Sequence, residues 1–273
     1  MERWWLGLLV ALLGSAAAAA SQPLELEGAL VQGGLVRGQV PPGSEVRFAG
    51  RRLHLDPAGR FLFGFGRDET SGEALTVRYP DGSRTTRRLK IAKRAYRIQR
   101  INGLPAREVQ PSPADLVRIR ADARLIEAAR TRDSAEPRVP STFVWPVVGP
   151  ISGVYGSQRI LNGEPRAPHR GVDIAAPAGT PVGAMAVGVV SLAAPAMYFT
   201  GNTVMIDHGY GLHSVYAHLS ELDVKVGEAV RQGQMIGKVG ATGRATGPHL
   251  HWGVYWLDHA LDPALLVGPM PQS

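Results

Sequence analysis

Between Leu24 and about Ala92, short apolar runs alternate with turn signals: Pro41-Pro42-Gly43, Asp56-Pro57-Ala58-Gly59 and Pro80-Asp81-Gly82. Within the runs, Glu45-Val46-Arg47-Phe48 and Leu75-Thr76-Val77-Arg78-Tyr79 put an apolar residue at every second position. A half-buried strand has that period, because successive side chains point to opposite faces. The pattern predicts a small antiparallel β domain over residues 24–92. It contains no cluster of catalytic residue types, and its single histidine, His54 between Leu53 and Leu55, is expected on the surface of a strand.

The period changes at Ser112-Pro113-Ala114-Asp115. A capping serine, a proline at the first helical position and an acid three residues after the cap predict a helix over about 113–131. Leu116, Ile119, Ala123 and Ile126 follow at steps of three, four and three, so they fall on one helical face. Residues 133–140 contain two prolines and little apolar content, which predicts a linker closing a connector over 93–140. From Ser141 onward the texture is glycine-rich β, with short runs at Val204-Met205-Ile206, Val215-Tyr216-Ala217, Met235-Ile236 and Leu250 to Val254. The chain is therefore expected to be mainly β: a small antiparallel domain, a connector helix and a larger β-sheet domain over 141–273. The run from Val226 to Gly237 has the turn-strand-turn pattern of lipoyl and biotinyl carrier domains. Those need a lysine at the hairpin tip, whereas Lys238 lies beyond the turn, so the expectation is shared β architecture without carrier function.

Composition narrows the picture. With 44% hydrophobic and 19% charged residues the chain is an ordinary folded protein. Residues 1–20 have a signal-peptide layout: Arg3 near the start, an apolar run from Leu6 to Leu13, and a small-x-small end at Ala18 and Ala20. The 17 residues from Trp4 to Ala20 carry no formal charge, so an uncleaved anchor is the alternative. The short apolar part favours cleavage after Ala20, and a periplasmic location is expected. There is no cysteine, which excludes disulfides, thiolate ligands and a cysteine nucleophile. Any metal must be held by nitrogen and oxygen.

Net charge is +7, unevenly spread. Residues 84–132 carry 14 Lys/Arg against 4 Asp/Glu, a net of +10, while residues 141–273 carry 7 against 8, a net of −1. In a secreted protein the basic connector points to an anionic wall polymer or lipid surface, with a solvated helix face as the bland alternative. Nucleic acid is not expected.

Seven of the eight histidines lie between His169 and His259. His249 and His251 flank one leucine, so on a strand both point to the same face, and a metal could use either or both. His169 precedes Asp173 by four, but Pro168, Gly171 and Pro177 argue against a helix. A loop entering a strand must then bring the pair together. Imidazole and carboxylate form the donor set that zinc takes in open catalytic sites. His208, in an Asp-His-Gly turn, and His213 are expected to be structural, and His259 exposed.

Residues 141–273 resemble the lysostaphin/LytM-type zinc metallopeptidases along nearly their whole length. The resemblance is carried by Pro168-His169-Arg170-Gly171-Val172-Asp173-Ile174, Gly201-Asn202-Thr203-Val204-Met205-Ile206-Asp207-His208-Gly209, Tyr216-Ala217-His218-Leu219, and Gly243 to Gly253 with Thr246-Gly247-Pro248-His249-Leu250-His251. Residues 24–110 look like the β domain that precedes the peptidase in some secreted members. The resemblance implies that His169, Asp173 and His251 bind one zinc ion per chain. It leaves His218 and His249 beside the metal as catalytic groups, without deciding which is the base. Tyr155, Arg159 and Asn202 fall in the family's cleft-forming segments. The implied activity is hydrolysis of stem peptides or cross-links of bacterial peptidoglycan. The alternatives are a wall-binding regulator without activity and a secreted peptidase directed at proteins.

Overall fold

The computed structural model describes residues 24–70, 72–103, 110–132, 134 and 142–271. The expected signal segment over 1–20 and nearly all of the expected linker over 133–140 lie outside them. The amino-terminal strands are β1 (Glu25–Gly28), β2 (Leu35–Gln39), β3 (Glu45–Phe48), β4 (Arg51–Arg52), β5 (Arg60–Gly64), β6 (Ala74–Arg78) and β7 (Arg84–Arg88). They form two antiparallel sheets, ordered β1-β2-β5 and β4-β3-β6-β7. The alternation read from the sequence is real. In β3 and β6, Val46, Phe48, Leu75 and Val77 are buried while Arg47 and Arg78 are exposed.

β8 (Ile98–Ile101) and helix α1 (Pro113–Arg130) follow. Ser112 caps α1 in a complete capping box: its hydroxyl accepts from the Asp115 backbone amide and the Asp115 carboxylate accepts from the Ser112 amide. The remaining strands are β9 (Ile151–Gly153), β10 (Gln158–Leu161), β11 (Glu164–Pro165), β12 (Val172–Ala175), β13 (Pro181–Gly183), β14 (Gly188–Met197), β15 (Gly201–Asp207), β16 (Leu212–Leu219), β17 (Glu221–Leu222), β18 (Ala229–Val230), β19 (Met235–Lys238), β20 (His249–Trp256) and β21 (His259–Leu261). The main sheet runs β18-β14-β15-β16-β20-β12-β9, with β21 beside β20.

Four expectations need correction. The packed face of α1 is not the one read from its apolar residues: Leu116 and Ala123 are exposed, and the sheltered positions are Asp115, Ile119, Asp122, Ile126 and Ala129. Ile126 and Ala129 pack against Leu192, Met197, Met205 and Val215, whereas Asp122 accepts from the Tyr198 backbone amide at 2.7 Å. Part of the face that α1 meets is backbone, so the half-sheltered Asp122 occupies a place where an apolar residue was expected. Nor is the basic face of the helix wholly solvated. Arg118 donates to the Ala196 carbonyl, and Arg130 lies over the Tyr255 ring. His54 sits in the loop after β4, where it stacks on Tyr210 at 6.0 Å between centroids. His259 is half-buried, stacked on Trp256.

The contact of His54 with Tyr210 belongs to a broader fact. One continuous apolar core contains Phe48, Phe63 and Phe65 of the amino-terminal strands together with Trp256, Leu261 and Ile174 of the main sheet. Phe48 lies 4.5 Å from Phe63 and 6.0 Å from Trp256, centroid to centroid. Arg94 adds an ion pair to Asp262 at 2.7 Å, and the Asp262 amide donates to the Gly33 carbonyl.

His208 has the structural role expected of it. It is fully buried, donates from Nδ1 to the Val187 carbonyl at 2.7 Å, and has Nε2 2.7 Å from the Ser214 hydroxyl. Burial pushes its pKa down to about 4 against the hydrogen bond to Val187. An unfolded histidine titrates near 6.5, so between pH 6.5 and 4 the unfolded chain binds the proton more tightly. The stabilising effect of neutral His208 is therefore fully present above about pH 6.5 and lost as pH falls toward 4, on the order of 3 kcal/mol. Urea unfolding of the zinc-free protein should show this slope. His208→Gln, whose side chain cannot take the proton, should flatten it, and an unchanged slope would assign the acid sensitivity elsewhere.

Candidate metal centre

The centre is assembled across the pairing of β12 with β20 and of β20 with β16. The β12/β20 register sets Asp173 directly opposite His251 and Ala175 opposite His249, and the β16/β20 register sets Ala217 opposite His251. Directly opposed residues share a face, so His249, His251 and Asp173 project to one side while Leu250 and Trp252 are buried on the other. His169 lies in the segment just before β12, as expected of a loop entering a strand. Two glycines permit the close approach. A Cβ on Gly153 would fall 2.2 Å from Asp173 Oδ2, and one on Gly171 would fall 2.4 Å from the Trp252 carbonyl oxygen.

Three side-chain atoms converge. His169 Nε2 is 3.0 Å from Asp173 Oδ1 and 3.0 Å from His251 Nδ1, and His251 Nδ1 is 2.8 Å from Asp173 Oδ1. His169 Nδ1 donates to the Val154 carbonyl at 3.1 Å, so its neutral form turns the Nε2 lone pair toward the other two atoms. Burial alone would raise the Asp173 carboxyl; its hydrogen bonds with His169 and His251 outweigh that and hold it far below the usual carboxylate range. Burial also pushes His251 down, toward the neutral form that metal binding requires. Two imidazole nitrogens and a carboxylate oxygen turned on one point, with a backbone acceptor fixing one ring, fit an open zinc site.

Arg159 was expected only to lie in a cleft-forming segment. Its Nη2 lies 3.2 Å from Asp173 Oδ2, so the carboxylate presents one oxygen to the site and the other to a guanidinium. The connector strand β8 pairs in parallel with β10, setting Gln99 beside Arg159. Nothing in the sequence marked β8, because Ile98 and Ile101 do not alternate. Tyr155 is buried and donates its hydroxyl to the Ala260 carbonyl at 2.7 Å, which gives it a packing role. Asn202 bridges the Ala196 amide and the Ser220 carbonyl.

His218 and His249 stand beside this cluster. Their rings are 4.7 Å apart, and His218 is 6.2 Å from His251, centroid to centroid. Both rings are committed at Nδ1 to backbone acceptors: His218 to Thr242 at 2.8 Å and His249 to Gly247 at 2.8 Å. In the neutral state each therefore carries its lone pair on Nε2. Burial lowers the His218 pKa to about 4, helped by the two neighbouring imidazoles and opposed by the bond to Thr242. Its backbone has φ +64°, a left-handed conformation that is costly for a residue with a side chain. His213, inside β16, is fully buried, in line with the structural role expected of it.

Residues 167–263 match the sequence family described as Peptidase family M23. A crystal structure of a putative peptidase M23 from Pseudomonas aeruginosa superposes with a TM-score of 0.66 at 34% identity, covering 87% of this chain and 95% of that one. The chain belongs to peptidase family M23. Zinc is the metal of the M23 family, and the His169, Asp173 and His251 donor set fits it. Among curated M23-like proteins, the DD-carboxypeptidase/endopeptidase Mpg of Neisseria meningitidis serogroup B is 44% identical over 104 residues, 38% of this chain and 24% of its own length. The peptidoglycan DD-endopeptidase ShyA of Vibrio cholerae serotype O1 is 50% identical over 86 residues, 32% of this chain and 20% of its own. The match thus spans about a quarter or less of these relatives.

Proposed function

We propose that this protein is a zinc endopeptidase that hydrolyses the peptide cross-links or stem peptides of peptidoglycan outside the cytoplasm. The observation that carries the reading is the convergence of His169 Nε2, Asp173 Oδ1 and His251 Nδ1, with two further imidazoles beside them whose Nε2 atoms are free of backbone bonds. The substrate class is supported by the activities named for Mpg and ShyA. Location outside the cytoplasm is supported by the signal-like residues 1–20.

In this reading His169, Asp173 and His251 are the metal ligands, and Arg159 orients Asp173. Zinc bound there supplies a Lewis acid and lowers the pKa of a coordinated water to about 7. His218 and His249 accept and return the proton through Nε2; whichever is protonated can donate a hydrogen bond to the oxyanion of the tetrahedral intermediate. Fixed Nδ1–H donors on both rings keep those Nε2 atoms from rotating away.

The test is to incubate the zinc-loaded chain with purified sacculi and, separately, with casein, and to analyse the released fragments by mass spectrometry. Muropeptides with newly freed amines at the cross-links, and intact casein, are expected. Cleaved casein with intact sacculi would point to a protein-directed peptidase. Sacculi that bind the protein but release nothing would point to a regulator.

A further inference from the structure

We propose that the outer face of the sheet β4-β3-β6-β7 is a cationic docking surface for the carboxylate-bearing peptides of the peptidoglycan wall, an inference that rests on the substrate class proposed above. The pairing register defines the face. Glu45 is opposite Arg78 and Arg78 opposite Arg84; Arg47 is opposite Thr76 and Thr76 opposite Thr86; Arg47 also faces Arg52, and Ala74 faces Arg88. Arg47, Arg52, Arg78, Arg84 and Arg88 therefore project from one side and are all exposed. Five arginines against Glu45 leave a net of +4 on a patch four strands wide. The other side of the sheet is spent on the core, through Val46, Phe48, Leu75 and Val77.

Folding does not explain this arrangement. Like charges directly opposite each other destabilise a sheet, and Arg78 is paired with Arg84. Charge on an edge strand blocks edge-to-edge aggregation, which accounts for arginines on β7 and β4. It does not account for Arg47 on the interior strand β3, nor for the like-charge pairing of Arg78 with Arg84; the one acid of the face, Glu45, is opposite Arg78 and 3.8 Å from Arg52, and leaves the others unbalanced. An anionic partner accounts for both. Alternate residues of a strand lie about 7 Å apart and neighbouring strands about 5 Å apart, so the guanidinium forks form a grid suited to repeated planar carboxylates.

A wall polymer is favoured over a bilayer because the face offers nothing to insert: among the described residues, none of the exposed large apolar side chains lies on this sheet. The middle of the face is instead a threonine pair, with Thr76 and Thr86 hydroxyls 3.4 Å apart. Phe48 turns the inner side toward Trp256, so the docking face points away from the peptidase. Docked there, the protein is tethered to its polymer while the zinc site is left to work on neighbouring peptides.

The experiment is co-sedimentation of the full chain, stripped of zinc so that nothing is cut, with purified sacculi, with sacculi whose carboxyls have been amidated, and with phosphatidylglycerol/phosphatidylethanolamine vesicles. Retention on native sacculi is expected to fall about tenfold when Arg78, Arg84 and Arg88 are all changed to Gln, and to fall similarly for the wild type as salt shortens the screening length to about 8 Å. The corresponding triple change to Lys, which keeps the charge, should retain most of the binding. Amidated sacculi should hold the wild type no better than native sacculi hold the Gln variant. Equal retention of the Gln variant and the wild type would overturn the proposal, as would undiminished binding to amidated sacculi. Stronger binding to vesicles than to sacculi would overturn it too, in favour of a lipid surface. Hydrolysis of a soluble cross-linked muropeptide by the zinc-loaded chain tests the substrate class separately. A wild type that sediments with sacculi but never cuts keeps the docking face and loses the peptidase reading.

Discussion

Alanine in place of His169, Asp173 or His251 is expected to reduce zinc from one ion per chain to background and to abolish hydrolysis with it. The three donor atoms lie within 3.0 Å of one another, so each removal leaves only two ligands in a site that needs three. Arg159→Ala should behave differently. It removes the partner of Asp173 Oδ2 and leaves every ligand in place, so zinc should bind, but roughly 10- to 100-fold more weakly. Elemental analysis after dialysis separates the two classes, and competition with a chelator grades the second. Full occupancy in any two of the three ligand variants would falsify the assignment.

For His218→Ala and His249→Ala the expectation is the reverse: zinc retained, turnover lowered by about 100-fold or more, as for a positioned acid or base. The cause is the fixed Nδ1–H of each ring, which leaves both Nε2 atoms as proton acceptors on rings that stand beside the cluster. If the two act as one proton-handling unit, the double variant should be little worse than the poorer single. Because His218 holds its neutral form down to about pH 4, its acceptor role should persist through the mildly acid range and fail only below that. Loss of zinc in step with activity on His249→Ala would make His249 the ligand and displace His251.

What the sequence disclosed, and what it hid, follows from the range over which each interaction acts. The capping box at Ser112, the shared face of His249 and His251, and the loop-to-strand approach of His169 to Asp173 are local and obey fixed periods, so all were legible. The face of α1 was not, because Asp122 is sheltered by accepting from the Tyr198 backbone amide, 76 residues further along the chain. Apolar spacing has no means of signalling such a partner. The strand β8 was missed for the same reason, since its pairing with β10 is parallel and distant in sequence. His54 was misplaced because its ring partner, Tyr210, is set by how the amino-terminal strands meet the main sheet, whereas His259 pairs with Trp256 across the β20/β21 hairpin and is covered from the amino-terminal side by Gly66. Arg159 was visible only as a cleft residue because its approach to Asp173 Oδ2 depends on tertiary packing between β10 and β12, which no local period signals.

The apolar seam running from Phe63 and Phe65 through Phe48 to Trp256 and Leu261 has an implication for how such a protein could be controlled. With one core shared between them, the amino-terminal strands and the peptidase sheet should melt in a single transition. A protease that cut the connector would not liberate a finished enzyme. It would leave either two pieces still clasped together or, if they parted, a fragment with Tyr210, Trp256 and Leu261 bared to water and prone to aggregate. Trimming of the connector, as in a zymogen, would therefore not release a separate peptidase domain without baring that seam to water.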